Sequence, residues 1–588
     1  MAALIGKKFS VYNASTFASS FATESMYLYV GKVLSWDSDA SPPDPEDTPS
    51  YHSSVWNKMA GAVRVTKNQV ALGITRNDWN SGTEYGVYDS ANTTLASDHY
   101  VLAGSMDRDV YECLDNNGRS ASTSKPSHKN LGITRERDGY AWKYMYTIPD
   151  TTFKRFATSS VIPVFQDPDV ARSGVPTGII HLPIPANNTT GIGAYYRGTG
   201  YVNTSYATPA SNATIFTTVL ANSYTNEITV QSTSGLSVHG NYYNNCAFLV
   251  TSGLAKGTYR SIVVSKPGSV EADAIAPFGP DGATTNKSNL VLSSVVSNFA
   301  NGDTFMIGPI VRGPNGTRVG GAYDKDALGF LGIGKVNASG NITSIDVSQV
   351  GTGFAAVSSN ATIQGEYNPS AVGYTDHPDG FGASVPFMVP PSGGHGYDPF
   401  MELEAKYVIV SPETPLTKDH QTGIFGGYGN EIRQVGIVKN PIEKYTGQIA
   451  SKTSYDMRTT LYFSTSSTIN FRADQRIYNS VVVGSESASG LVHSICGSSP
   501  NEYISLTDVS GSFANGDIVY NRLGDSATIS SSSLGFHKYP STSNYAPKSA
   551  VIEGGLAKYV GDILYHENIS PITRRLDQKE EFKFVFEF

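Results

Sequence analysis

Glu581-Phe582-Lys583-Phe584-Val585-Phe586-Glu587-Phe588 alternates strictly, with a phenylalanine at every second position. Successive side chains of a pleated strand point to opposite faces, so the run predicts one face made of four phenylalanines. At ~3.3 Å per residue the strand would be about 26 Å long. Burial of each phenylalanine is worth ~1.5–3 kcal/mol, which reads as a core strand anchoring a domain, with a subunit contact as the second reading. The rest of the chain has a matching texture. Gly (58), Pro (30) and Tyr (35) are abundant and charged residues reach only 16%, a mixture that suits many short strands joined by tight turns. Runs with apolar residues at three- and four-residue spacing are scarce, so the fold class is mainly β with a few short helices. A chain of 588 residues also exceeds what one core organises, and several domains are expected.

Charge and hydropathy exclude two partner classes. The net charge is −8 with no basic block, whereas duplex binding relies on clustered Lys and Arg, so no nucleic acid is expected. No apolar stretch approaches the ~20 residues that span a bilayer, so no membrane is expected either. Met1 to Ser10 carries Lys7 and Lys8 without an apolar region after them, unlike a signal peptide. Cys113, Cys246 and Cys496 lie far apart without metal spacing and read as buried free thiols from a reducing cytosol.

All four tryptophans, Trp36, Trp56, Trp79 and Trp142, fall in the first quarter, which predicts a denser N-terminal core. Trp56, Met59 and Trp142 are expected inside it. Asn13 or Ser15 would cap a short helix carrying Phe17 and Phe21 and ending near Glu24, followed by a strand over Met26 to Val30. A second helix is expected over Ser53 to Ala60, and strands at Tyr100–Ala103, Val110–Leu114 and Tyr140–Ile148. Between about 180 and 397 the chain turns Gly/Ser/Thr/Asn-rich and repeats itself. Gly198-Thr199-Gly200-Tyr201 precedes Ser211-Asn212-Ala213-Thr214-Ile215, just as Gly351-Thr352-Gly353-Phe354 precedes Ser359-Asn360-Ala361-Thr362-Ile363. Phe299-Ala300-Asn301-Gly302-Asp303 likewise matches Phe513-Ala514-Asn515-Gly516-Asp517, with Asn-Gly supplying a positive-φ turn. Small β modules have been duplicated, too few for a solenoid.

Motifs that carry chemistry are missing. Gly6-Lys7, Gly31-Lys32 and Gly334-Lys335 are never followed by the Ser or Thr of a phosphate loop. Gly329-Phe330-Leu331-Gly332-Ile333-Gly334 lacks a surrounding βαβ unit and reads as a β-turn, not a dinucleotide site. The histidines show no zinc spacing, and His395 in Gly393-Gly394-His395-Gly396 reads as a flexible exposed loop. Asp37, Asp39, Asp44, Glu46 and Asp47 surround prolines that break calcium-loop spacing and read as a solvated acidic loop. Asp281, Asp303, Asp324, Asp326, Asp346 and Glu366 are the carboxylates a glycosidase could use, and none stands out by spacing. The expectation is no catalytic, cofactor-binding or metal residue, no cofactor, and no enzyme.

Several stretches, taken in order, resemble one family. They are Tyr29-Val30-Gly31-Lys32 through Trp36 to Pro42-Pro43, then Val55-Trp56-Asn57-Lys58-Met59-Ala60-Gly61-Ala62-Val63-Arg64-Val65, and Ile74-Thr75-Arg76-Asn77-Asp78-Trp79. Val110-Tyr111-Glu112-Cys113-Leu114-Asp115 and Asp138-Gly139-Tyr140-Ala141-Trp142-Lys143-Tyr144, ending at Ile148-Pro149, follow. Downstream stand Arg433-Gln434-Val435-Gly436-Ile437-Val438-Lys439-Asn440-Pro441, Gly561-Asp562-Ile563-Leu564-Tyr565-His566-Glu567-Asn568, and Asp577-Gln578-Lys579-Glu580-Glu581 before the phenylalanine strand. Together they resemble the baseplate wedge subunit of T-even-like contractile-tailed bacteriophages, the dimeric wedge protein numbered eight. The resemblance implies a β-sandwich-containing wedge core over 1–178, 398–455 and 546–588, split by inserted β modules at 179–397 and 456–545. It implies a homodimer made in the host cytoplasm and placed in the virion tail baseplate. The implied neighbours are other wedge proteins: the arm protein, the tail-fibre-connecting subunits and the inner wedge ring. No catalysis is implied. A receptor- or glycan-binding tail protein is the alternative, and a polysaccharide-degrading enzyme a third reading.

Overall fold

The computed structural model describes residues 6–31, 34–89, 98–104, 106–174, 180–183, 197–199, 205–206, 215–216, 226–231, 243, 246–266, 287–299, 303–312, 331–336, 341–350, 361–362, 381–385, 387–412, 432–464, 467–496, 503–531, 549–572 and 582–588. Strand far outweighs helix among the described residues, so the chain is mainly β, with several antiparallel sheets. It divides into two compact units. The first holds Met1–Ile74, Thr151–Pro163 and Lys406–Phe588, and the second Thr75–Asp150 and Val164–Ala405.

In the first unit the strand Met26–Gly31 is buried along its whole length. It lies between Met59–Val65 and Ile432–Lys439, and Asp562–Ile572 pairs with the far side of the latter. Period-two alternation sends Met26, Leu28 and Val30 into one apolar cluster with Ala14, Phe21, Val435 and Ile437. Tyr27 and Tyr29 enter another with Val55, Trp56, Met59 and Tyr455. The first cluster also takes Val408, Val410 and Phe584 from a four-stranded sheet, so two sheets share one core.

Several element boundaries differ from the sequence expectation. The N-terminal helix runs Lys7–Thr23, with Gly6 as an N-cap that makes no side-chain bond, so it starts ahead of Asn13. Ala14, Phe17 and Phe21 follow helical spacing into the core. The next helix is Pro49–Lys58, capped by Thr48, whose hydroxyl accepts from Tyr51 N at 3.2 Å. Met59 and Ala60 belong to the following strand instead. The phenylalanine strand is Phe584–Glu587, half the expected length, because its partner Tyr407–Val410 has only four residues to pair. The Phe ladder survives beyond the strand, with Phe582, Phe584 and Phe586 stacked at 6.1 and 6.5 Å. Phe17 packs on it, 5.5 Å from Phe586.

A seven-stranded sheet from Thr459–Tyr462 to Val551–Ile552 also lies in the first unit and has its own core around Leu461, Phe463, Phe513 and Val519. Here Gly516 has φ +89°, and Asp517 N donates to Ala514 O at 3.2 Å, the turn expected of Asn515-Gly516. Its counterpart Phe299 is buried among Phe248 and Phe305, while 300–302 lie outside the described residues. Most of the Gly-Thr-Gly repeat lies outside them too.

The second unit contains a four-stranded sheet of Tyr100–Leu102, Asp109–Asp115, Ala141–Thr147 and Ile133–Arg135. Trp142 is fully buried in it, stacked 5.5 Å from Tyr140. The glycine-rich run corrects the β-turn reading: Leu331–Val336 is a strand paired with Ile310–Arg312 and Ile342–Gln349. The two units also cut across the five expected segments. Residues 75–150 and 164–178 fall with 179–397, and 456–545 fall with the first unit.

Candidate functional site

Glu112 sits mid-strand in Asp109–Asp115, in register with Tyr100 on one side and Lys143 on the other. Cross-strand partners share a face, so this face of the sheet carries an acidic and a basic side chain in its interior. His395 reaches the same place from the turn Pro391–Tyr397. Gly394 N donates to Pro391 O at 2.8 Å and Tyr397 N to Gly394 O at 3.1 Å. The flanking Gly393, Gly394 and Gly396 have φ of +91°, +90° and +79°, a conformation that disfavours side chains. At Gly396 a Cβ would also collide with Val170. Glu402 ends the short helix Pro399–Glu402, whose start is capped by Asp398 accepting from Met401 N at 3.2 Å.

The three side chains converge out of solvent. His395 Nδ1 stands 2.9 Å from Glu112 Oε2 and 2.7 Å from Glu402 Oε1. Gly396 N donates to Glu402 Oε2 at 2.7 Å. Side-chain exposure is 4% for His395, 0% for Glu112 and 1% for Glu402, so all three are shielded from bulk solvent. Glu112 Oε1 and His395 Nε2 are buried with no hydrogen-bond partner among the described residues. Tyr88 presents its ring edge-on to the imidazole at 5.0 Å. The Lys143 ammonium turns to Leu131 O and to Ser173 Oγ, the latter at 3.0 Å.

Burial, followed by the charge of Glu402, pushes the Glu112 carboxyl well above the usual range. Burial would raise Glu402 as well, but hydrogen bonding and charge from His395 overcome it and hold Glu402 below its ordinary value. Burial opposes protonation of His395, and the two carboxylates override it, raising the imidazole to about 9. These directions favour a proton on Glu112 over Glu402 and a charged contact between Glu402 and His395.

The flexible-loop reading of His395 is corrected: it is a buried side chain held by two carboxylates. Glu112 and Glu402 were not expected as site residues. The available signal is a lone glutamate inside the apolar strand run Val110-Tyr111-Glu112-Cys113-Leu114, which must find a partner when buried. In the acidic loop, Asp37, Asp44, Glu46 and Asp47 are exposed. Asp39 instead meets the buried Arg433 through two bonds, 3.1 Å from Nε and 2.9 Å from its terminal nitrogen. Asp346 pairs with Lys335 at 2.5 Å, and Asp281, Asp324, Asp326 and Glu366 lie outside the described residues. Cys113 and Cys246 are free and buried, and burial pushes the Cys246 thiol up to about 12. The side chain of Cys496 lies outside the described set. Among the described residues no helix is long and apolar enough to cross a membrane.

No protein-family model matches the chain, and no curated protein matches it.

Proposed function

We propose that this chain is a structural subunit of a contractile phage tail baseplate wedge, a protein–protein scaffold and not an enzyme. One observation carries the reading. Of the stretches that resemble the wedge family, four supply adjacent strands of a single sheet, in the order Met59–Val65, Met26–Gly31, Ile432–Lys439 and Asp562–Ile572. These four family-like segments, scattered over more than 500 positions, thus form one sheet, as segments of an ancestral core would after long additions between them.

In this reading the aromatic-rich sheets supply rigidity, and the added modules present surfaces to neighbours. The chain acts as a homodimer in the virion baseplate, beside the arm protein, the tail-fibre-connecting subunits and the inner wedge ring. Light scattering of the purified chain is expected to give twice the chain mass of 62.9 kDa. The functional test is a stop codon early in its reading frame in the phage that encodes it. The expected result is particles without complete baseplates, restored by supplying the chain from a plasmid. Normal, infectious tails would refute the proposal.

A further inference from the structure

The hydrogen-bonded arrangement at Glu112, His395 and Glu402 leaves its own chemistry incomplete. Nδ1 carries at most one hydrogen, yet it stands at bonding distance from two carboxylate oxygens, 2.7 and 2.9 Å away. Among the described residues Glu112 Oε1 is buried without a hydrogen-bond donor, and the Glu112 and Glu402 carboxyls are in contact with each other. The cross-strand neighbour Lys143 is committed to Leu131 O and Ser173 Oγ. Among the described residues this is the one group of three His, Cys, Asp or Glu side chains whose ligand atoms all lie within 4.8 Å of one another.

We propose that Glu112, His395 and Glu402 form a structural site for a divalent first-row transition metal of the zinc class. The donors are His395 Nδ1, Glu402 Oε1 and the Glu112 carboxylate, whose two oxygens bind as a narrow-bite chelate, so the tetrahedral spacing applies between residues. Zinc lies about 2.0–2.2 Å from such donors, which places tetrahedral donors about 3.4 Å apart. The separations of 2.7 and 2.9 Å need to open by about half an ångström, within the reach of small side-chain rotations. Two carboxylates balance the ion's charge, so the occupied site is neutral. Glu402 Oε2 already receives Gly396 N, the outer hydrogen bond that orients a ligating carboxylate. An imidazole ligand with so few oxygens disfavours calcium and magnesium, which take six or more oxygen donors. With all three ligands enclosed, the ion would cross-link the strand Asp109–Asp115 to the turn and helix of residues 391–402, and its binding energy would be folding energy.

The test uses the full-length chain. Protein made in zinc-supplemented medium and passed through gel filtration is expected to retain one zinc per chain by plasma mass spectrometry. After stripping with a chelator, added zinc chloride is expected to raise the melting temperature. Cobalt chloride is expected to give the visible absorption bands of a four-coordinate ion with nitrogen and oxygen donors. Glu112→Gln keeps the side chain's shape and is expected to fold while losing at least about tenfold in zinc affinity, since even outer partners of a metal ligand are worth ~10–100-fold. His395→Gln is expected to lose the cobalt bands. Wild-type protein that retains no zinc and shows no cobalt bands overturns the proposal whatever the variants do. Zinc binding by Glu112→Gln as tight as wild type overturns it equally.

Discussion

Tyr29 and His566, 537 positions apart in the chain, meet with the phenol oxygen 2.7 Å from Nδ1. His566 Nε2 faces Asn568 Oδ1 at 3.0 Å, and Asn568 Nδ2 donates to Tyr51 Oη at 2.7 Å and to Pro43 O at 2.8 Å. This network sets the tautomer, with Nε2 donating to Asn568 and Nδ1 accepting from Tyr29. Tyr29→Phe removes the donor to a half-buried Nδ1 and is expected to cost ~1 kcal/mol. Urea denaturation followed by tryptophan fluorescence reads it, since Trp56 shares the cluster of Tyr29.

Gly436 lies opposite Tyr29 in the same sheet. A Cβ there would collide with the Tyr29 ring and the Tyr565 carbonyl oxygen. Gly436→Ala is therefore expected to destabilise the first unit by ~1–3 kcal/mol through overpacking, measured as a lower urea midpoint. Gly447→Ala is the comparison, having nothing within 4 Å of the added carbon but a φ of +66°. It carries backbone strain without a collision, and a smaller loss is expected.

Acid weakens the Tyr29 network in a defined direction. Burial holds His566 below the ordinary histidine value of 6.5, helped by the charges of His52 and Lys58 and opposed by Asn568 and Glu567. The unfolded chain then binds the proton more readily than the folded one. His566 thus contributes its full stability above about pH 6.5 and loses it as pH falls toward the lower folded value. Unfolding measured between pH 7.5 and 5 is expected to show this loss, and His566→Gln is expected to flatten it.

The two glutamates of the second unit are expected to respond unequally in zinc-stripped protein. Burial pushes the Glu112 carboxyl up, whereas His395 holds that of Glu402 down. Glu112→Gln is expected to cost under ~1 kcal/mol, because burial already favours an uncharged side chain there. Glu402→Gln removes the counter-charge of a buried imidazolium, a change worth ~3–5 kcal/mol. Thermal unfolding of the two variants with a chelator present compares them.

Much of the fold is local enough to be written in short stretches of sequence. Alternation and apolar runs place strands near 26–30, 100–103, 110–114 and 140–148 to within a residue or so, because each strand's pattern is set by its own two faces. Helix starts were less legible. Gly6 caps without a side-chain bond, and the Thr48-Pro49 start signal lies ahead of the apolar residues that suggested a later one. The length of the phenylalanine strand depends on its partner, not on its own alternation. His395 was illegible for the same reason. Three glycines around it announce a turn, but its burial comes from Glu112, 283 positions away. Nothing within the Gly-Gly-His-Gly stretch records that contact.

A cryo-EM map of intact contractile tails from the phage that the wedge reading implies tests the central claim most directly. The wedge reading predicts density for the Met26–Gly31 sheet and its Phe584–Glu587 neighbour in the baseplate ring around the hub, in paired copies. Finding the chain at the fibre tips, away from that ring, would contradict it.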